Sequence, residues 1–175
     1  MVEIILYPFV VLSALGLILS LAAHIGALLG LNVPGPAMLL HVGIFIVWIP
    51  AVITSNFSLT KKYNRKDFWK VVLRGAPKWM QYMTYGFFIY AFINFFIFIF
   101  IAPSNPSSVS GTPPSVVRGF SGHWMAFYSA ALAILYSAIQ IKKKGLIRKC
   151  PNGHEVSLEA SFCEECGQLV LDKVQ

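Results

Sequence analysis

Four apolar stretches, residues 4–31, 37–55, 79–102 and 120–141, restrict this chain to one environment, because none of them contains a Lys, Arg, Asp or Glu. At a rise of 1.5 Å per residue, about 20 residues cross a hydrocarbon core ~30 Å thick, and each stretch is near or above that length. Only 12% of the residues are charged and 57% are hydrophobic. A soluble domain carries about 25% charged residues, so this chain lacks the polar surface to cover a water-facing globule. The expected fold is an all-α integral membrane protein with four transmembrane helices. A cleaved leader is the rival reading of the first stretch, but Met1-Val2-Glu3 offers no positive start and the apolar run is too long for one.

The breaks between the stretches have their own chemistry. Asn32 to Pro36 (N-V-P-G-P) ends the first helix, since Pro removes a donor and fixes φ. Pro50 is expected to kink the second helix. The segment 59–78 carries Lys61, Lys62, Arg65, Lys66, Lys70, Arg74 and Lys78 against one acid, Asp67. Lys66, Lys70, Arg74 and Lys78 recur every four residues, while Phe68, Trp69, Val72 and Leu73 fall opposite. That pattern predicts a basic amphipathic helix on the membrane surface, capped by Asn64 with Asp67 at N3 and ended by Gly75 and Pro77. Each cation near anionic lipid is worth about 1 kcal/mol; the plainer alternative is a solvated positive loop. Pro103 to Gly119, rich in Pro, Ser and Gly, reads as a loop with Arg118 its one cation.

Four spans place both termini and the 59–78 segment on one side. Of the 14 Lys and Arg only Arg118 lies across, which leaves 13 on that side. The positive-inside bias makes it the cytoplasmic face, so the reading is a multi-pass protein of the cytoplasmic membrane with N- and C-termini inside. The net charge of +7 then belongs to orientation rather than to nucleic-acid binding.

All three cysteines lie in the last 26 residues, with no others to build a disulfide framework, which suits a reducing compartment. Cys150, His154, Cys163 and Cys166 follow the spacing C-x3-H-x8-C-x2-C. Zn²⁺ takes four thiolate or imidazole donors in a tetrahedron, and Cys3His is one of the closed structural sets. Gly153 and Gly167 supply the tight turns. So small a unit buries too little with Val156, Leu158 and Phe162 to fold unaided, so metal must stabilise it. A redox pair at Cys163 and Cys166 is the alternative, but four donors exceed what a dithiol needs. Over Lys149 to about Leu169 the chain resembles the short zinc-ribbon tails of many prokaryotic proteins, two knuckles ending in F-C-x-x-C-G. The second knuckle matches; the first has Cys-x3-His where the usual form has Cys-x2-Cys. The resemblance implies a docking surface for a cytoplasmic protein. No nucleic-acid partner is expected, because residues 150–167 carry four glutamates and no cation. The chain thus divides into a four-span domain, 1–144, and a zinc-ribbon tail, 145–175.

His24, His41 and His123 fall in three different spans, each toward the side away from the ribbon. From His123, Ala126, Ala130, Ala133 and Ser137 form a small-residue seam, and Ser13, Gly16, Ser20, His24 and Ala27 form a matching stripe on the first span. Ionisable groups at membrane depth invite a functional reading with a named partner. One reading is b-type haem between His24 and His123, with Gly122 or Gly26 leaving room. Another is copper or zinc held by all three imidazoles. The third is that each ring hydrogen-bonds a neighbouring hydroxyl or backbone group or faces interfacial water. Asn94 is placed to bond into the same region. There is no intramembrane carboxylate, no Ser-His-Asp set and no phosphate-cradling loop. The leading expectation is therefore non-enzymatic: an accessory or scaffold subunit meeting the lipid bilayer, other membrane subunits or its own copies through the aromatic third span, and a cytoplasmic partner through the ribbon. A redox protein with haem or copper is the second class; small-solute transport by an oligomer is the third.

Overall fold

The computed structural model describes residues 2–32, 37–58, 67–101, 112–144, 149–154, 156 and 160–170. Five helices occur in it: α1 (Val2–Leu28), α2 (Met38–Ser58), α3 (Phe68–Leu73), α4 (Lys78–Ile101) and α5 (Pro114–Lys143). The fold is all-helical; among the described residues the one extended pairing is the antiparallel bridge Phe162–Leu169. Helices α1, α2, α4 and α5 are long and apolar enough to cross a membrane.

Helix α5 forms the axis. Its span is 78% buried, against 28%, 22% and 17% for α1, α2 and α4, and it is also the least apolar, with mean hydropathy 1.5 against 2.5 for α1. The two facts have one cause. Lipid is as apolar as Leu, so outward helices must be apolar throughout, while polar side chains survive where other helices surround them. Ser121, Ser129 and Ser137 are accordingly buried on α5, beside Ala126, Ala130 and Ala133. The small-residue seam and the Ser13–Gly16–Ser20–His24–Ala27 stripe both lie inside.

Close approach is used where α5 carries a large side chain. A Cβ on Gly16 of α1 would overlap the Tyr128 ring, and one on Gly43 of α2 would meet the Tyr128 hydroxyl. That hydroxyl donates to the Leu40 carbonyl at 2.8 Å, so Tyr128 wedges between two neighbours at once. On α4, Asn94 Nδ2 donates to the Arg118 carbonyl at 2.7 Å, and Thr84 Oγ1 lies 3.3 Å from the Ser129 carbonyl.

Three elements differ from the sequence reading. Helix α5 starts at Pro114 rather than near 120, because Pro suits the first helical turn, where an N–H is unpaired anyway. Its 30 residues extend about 45 Å at helical rise, so it outruns a bilayer core and Arg118 is helical, not in a loop. The short amphipathic helix predicted between Asn64 and Gly75, within the basic segment 59–78, is also revised. Helix α3 has only six residues, begins after Asp67, and has no side-chain cap; the Asp67 carboxylate instead takes Lys70 Nζ at 2.9 Å. Lys78 opens α4, so the four-residue cation period does not run along one helix. Nor does α3 simply rest on lipid. Ser137 Oγ donates to the Val72 carbonyl at 2.6 Å and accepts from the Gly75 N–H at 2.9 Å, with Val72 and Leu73 buried beneath. The predicted cap Asn64 and the cations Lys61, Lys62, Arg65 and Lys66 lie outside the described residues, as do Pro34 to Pro36 and the loop residues 103–111.

Lys143 Nζ donates to the Tyr7 hydroxyl at 2.7 Å and sits over that ring. The start of α1, the end of α5 and α3 therefore share one end of the bundle, the end from which the cysteine-bearing tail departs.

Candidate metal centre and the membrane histidines

The tail folds around two knuckles. In the first, the Cys150 N–H donates to the His154 carbonyl at 2.9 Å and the Gly153 N–H to the Cys150 carbonyl at 2.8 Å. In the second, the Cys163 N–H donates to the Gln168 carbonyl and the Gly167 N–H to the Cys163 carbonyl, both at 2.7 Å. Gly153 (φ +83°) and Gly167 (φ +70°) occupy the left-handed region that closes each turn.

These turns bring Cys150, His154, Cys163 and Cys166 together, with one ligand atom from each lying within 4.8 Å of the others. Cys150 Sγ is 3.7 Å from Cys166 Sγ and 3.6 Å from His154 Nδ1, and Cys163 Sγ is 3.7 Å from the same nitrogen. A tetrahedral ion with Zn–S of about 2.3 Å and Zn–N of about 2.0–2.1 Å has S···S and S···N edges of about 3.8 and 3.6 Å. The donor set can hold one metal ion and is compatible with zinc. Its chemistry also fits: burial pushes the Cys163 thiol up, but the backbone amides of Cys166 and Glu165 and the neighbouring thiols bring it down to about 6, toward the thiolate a metal needs. On the far side of the imidazole, Glu165 Oε2 stands 3.8 Å from His154 Nε2. A carboxylate behind a ligating histidine orients the ring and raises its basicity. The spacing alone does not point to Glu165, because its role depends on which nitrogen of His154 faces the thiols.

The membrane histidines divide into two sites. His24 Nδ1 is 2.6 Å from Ser121 Oγ, and Nε2 is 2.5 Å from the Tyr90 hydroxyl. Ser121 Oγ donates to the Arg118 carbonyl at 3.1 Å, so it accepts from His24 Nδ1–H, and Tyr90 donates to Nε2. Both ring nitrogens are thereby engaged. His41 and His123 meet separately, Nδ1 to Nε2 at 3.3 Å with ring centroids 5.2 Å apart, and Trp124 Nε1 donates to the same His41 nitrogen at 3.1 Å. Phe45 and Phe120 flank this pair.

His24 and His123 therefore do not oppose each other. Ser121, not His123, receives His24, and two residues along a helix turn the side chain by about 200°. The three imidazoles are not brought together either: among the described residues, the group of three or more donors able to share an ion is Cys150, His154, Cys163 and Cys166. Hydrogen bonding to a neighbouring hydroxyl, one of the three readings, is what His24 does. Tyr90 lies four residues before Asn94, on the same helix face, and that spacing was the available signal for it; Trp124 beside His123 carried none. Comparison with protein-family models, with curated proteins and with solved structures finds no match for this chain.

Proposed function

We propose that this protein is a non-enzymatic accessory or scaffold subunit of the cytoplasmic membrane, with both termini inside and a structural zinc ribbon that docks a cytoplasmic protein. The observation that carries the reading is the four-donor cluster of Cys150, His154, Cys163 and Cys166, closed at tetrahedral spacing on a tail beside Lys142, Lys143 and Lys144. Four protein ligands leave no open position, which suits a folded binding platform and not a catalytic ion. In the membrane, His24 spends both nitrogens on hydrogen bonds, which supports a packing role over haem ligation.

Elemental analysis and an absorption spectrum on one purified sample test the reading. One zinc per chain, lost in Cys163→Ser, together with a colourless protein is the expected result. A Soret band, or copper that falls with His24→Ala or His123→Ala, would replace the accessory reading with a redox one. Docking is tested by recovering the protein with its associated chains from membranes. A specific cytoplasmic chain should accompany the parent and be absent from Cys163→Ser, with membrane insertion unchanged.

A further inference from the structure

The bundle end opposite α3 carries a histidine cluster and no anion. The seven acidic residues are Glu3, Asp67, Glu155, Glu159, Glu164, Glu165 and Asp172, so none lies between Glu3 and Asp67 or between Asp67 and Glu155. His41 and His123 belong to those acid-free stretches. Helices α2, α4 and α5 contain no Asp or Glu, and α1 has only Glu3, at its start. Arg118 of α5 acts on His24 and Tyr90 rather than on this pair; Tyr128 of α5 points its hydroxyl to the Leu40 carbonyl. His24 of α1 and Tyr90 of α4 are committed to each other and to Ser121.

Within the cluster, a single nitrogen does most of the joining. An indole N–H only donates, so His41 Nδ1 accepts from Trp124 Nε1–H at 3.1 Å, and its single lone pair is shared with His123 Nε2–H at 3.3 Å. Among the described residues, three hydrogen bonds join α2 to α5, and these are two of them; the third is Tyr128 to Leu40. The neutral His123 has its unprotonated nitrogen at Nδ1. A first proton can settle there and leave the bond to His41 intact, strengthened by charge. A second proton must go to His41 Nδ1, where it meets two N–H donors already pointing at it. The two rings, with centroids 5.2 Å apart, would then both be cationic in a setting of low dielectric, where like charges repel strongly.

We propose that His41, His123 and Trp124 form an acid-released latch, holding α2 against α5 while the pair carries at most one proton and freeing that end of α2 when both rings are charged. The sign follows from proton linkage. The released state binds more protons than the latched one, so acidification favours release and raising the pH restores the latch.

The test leaves Trp124 as the reporter, by replacing Trp48, Trp69 and Trp79 with Phe, and measures acrylamide quenching from about pH 8 to about pH 4.5, a range bracketing the imidazole value. Trp124 is fully buried, so quenching should be slight at the upper limit, rise several-fold on acidification, and reverse on return. Quencher access is read because an imidazolium can dim an indole by itself. In the same background, His41→Phe should abolish the acid response, and His123→Gln, which keeps an N–H donor but cannot charge, should move its midpoint to lower pH. Should the triple replacement fold poorly, the thermal midpoint of the unsubstituted protein takes its place, with an acid-induced drop that His123→Gln reduces. Trp124 staying shielded throughout, or an acid response that survives His41→Phe with His123→Phe, would overturn the latch.

Discussion

Single side chains decide two separate questions here, how the helices approach and how a metal ion would be held. Tyr128 illustrates the first, because the absence of a Cβ on Gly16 is what lets its ring lie against α1. Gly16→Ala should destabilise the bundle by about 1–3 kcal/mol, the usual cost of overpacking a filled interior; thermal or denaturant unfolding in detergent checks it. Tyr128→Phe is milder, about 1 kcal/mol for one hydrogen bond lost from a helix carbonyl. Glu165 illustrates the second. With His154 Nδ1 facing the thiols, Nε2 is left to the carboxylate 3.8 Å away. Glu165→Gln should weaken zinc affinity about 10–100-fold, as outer-shell changes do, without altering stoichiometry at saturating metal. Chelator competition reads that directly, and an unchanged affinity would leave Glu165 without a role at the site.

At the scale of elements, what could be read in advance was periodic or spaced, and what could not depended on a partner helix. The four spans announced themselves by length and absence of charge, and the buried faces of α1 and α5 by small residues at helical spacing. The knuckles were legible because a metal constrains donor spacing more tightly than packing constrains a core. The short basic segment misled, since a four-residue cation period reads the same whether one helix continues or a turn interrupts it. The turn at Gly75 is fixed from outside, by Ser137 of α5 bonding both its N–H and the Val72 carbonyl. Ser137→Ala leaves two backbone groups without that partner, at a cost on the order of 1–3 kcal/mol for each polar group stranded away from water. The expected outcome is faster amide exchange across Phe68–Gly75, with α1, α2 and α4 unaffected. Likewise His24 and His123 share a depth by sequence, but their separation follows from the angle about α5, which only the packed bundle defines.

For the molecule as a whole, the interior is divided between two hydrophobic clusters. The larger joins residues of all five helices; the smaller contains Cys150, Val156, Cys163 and Val170, with Ala160 and Cys166 against it. Half of the buried members of the small cluster are candidate donor cysteines, so its apolar burial is slight and is expected to need an ion to offset chain entropy. The large cluster contains none of the four candidate donors. Removal of metal by a strong chelator should therefore unfold residues 149–170 alone. Amide signals of the tail should collapse to disordered shifts and its thiols become reactive, while the helical circular dichroism and the thermal midpoint of the bundle stay where they were. The experiment also reads orientation. Under the proposed orientation, which rests on 13 of the 14 cations falling on one side, a membrane-impermeant thiol reagent on right-side-out vesicles should still miss Cys150, Cys163 and Cys166 after chelation, and label them once the vesicles are opened. Labelling from the outside would overturn the proposed orientation.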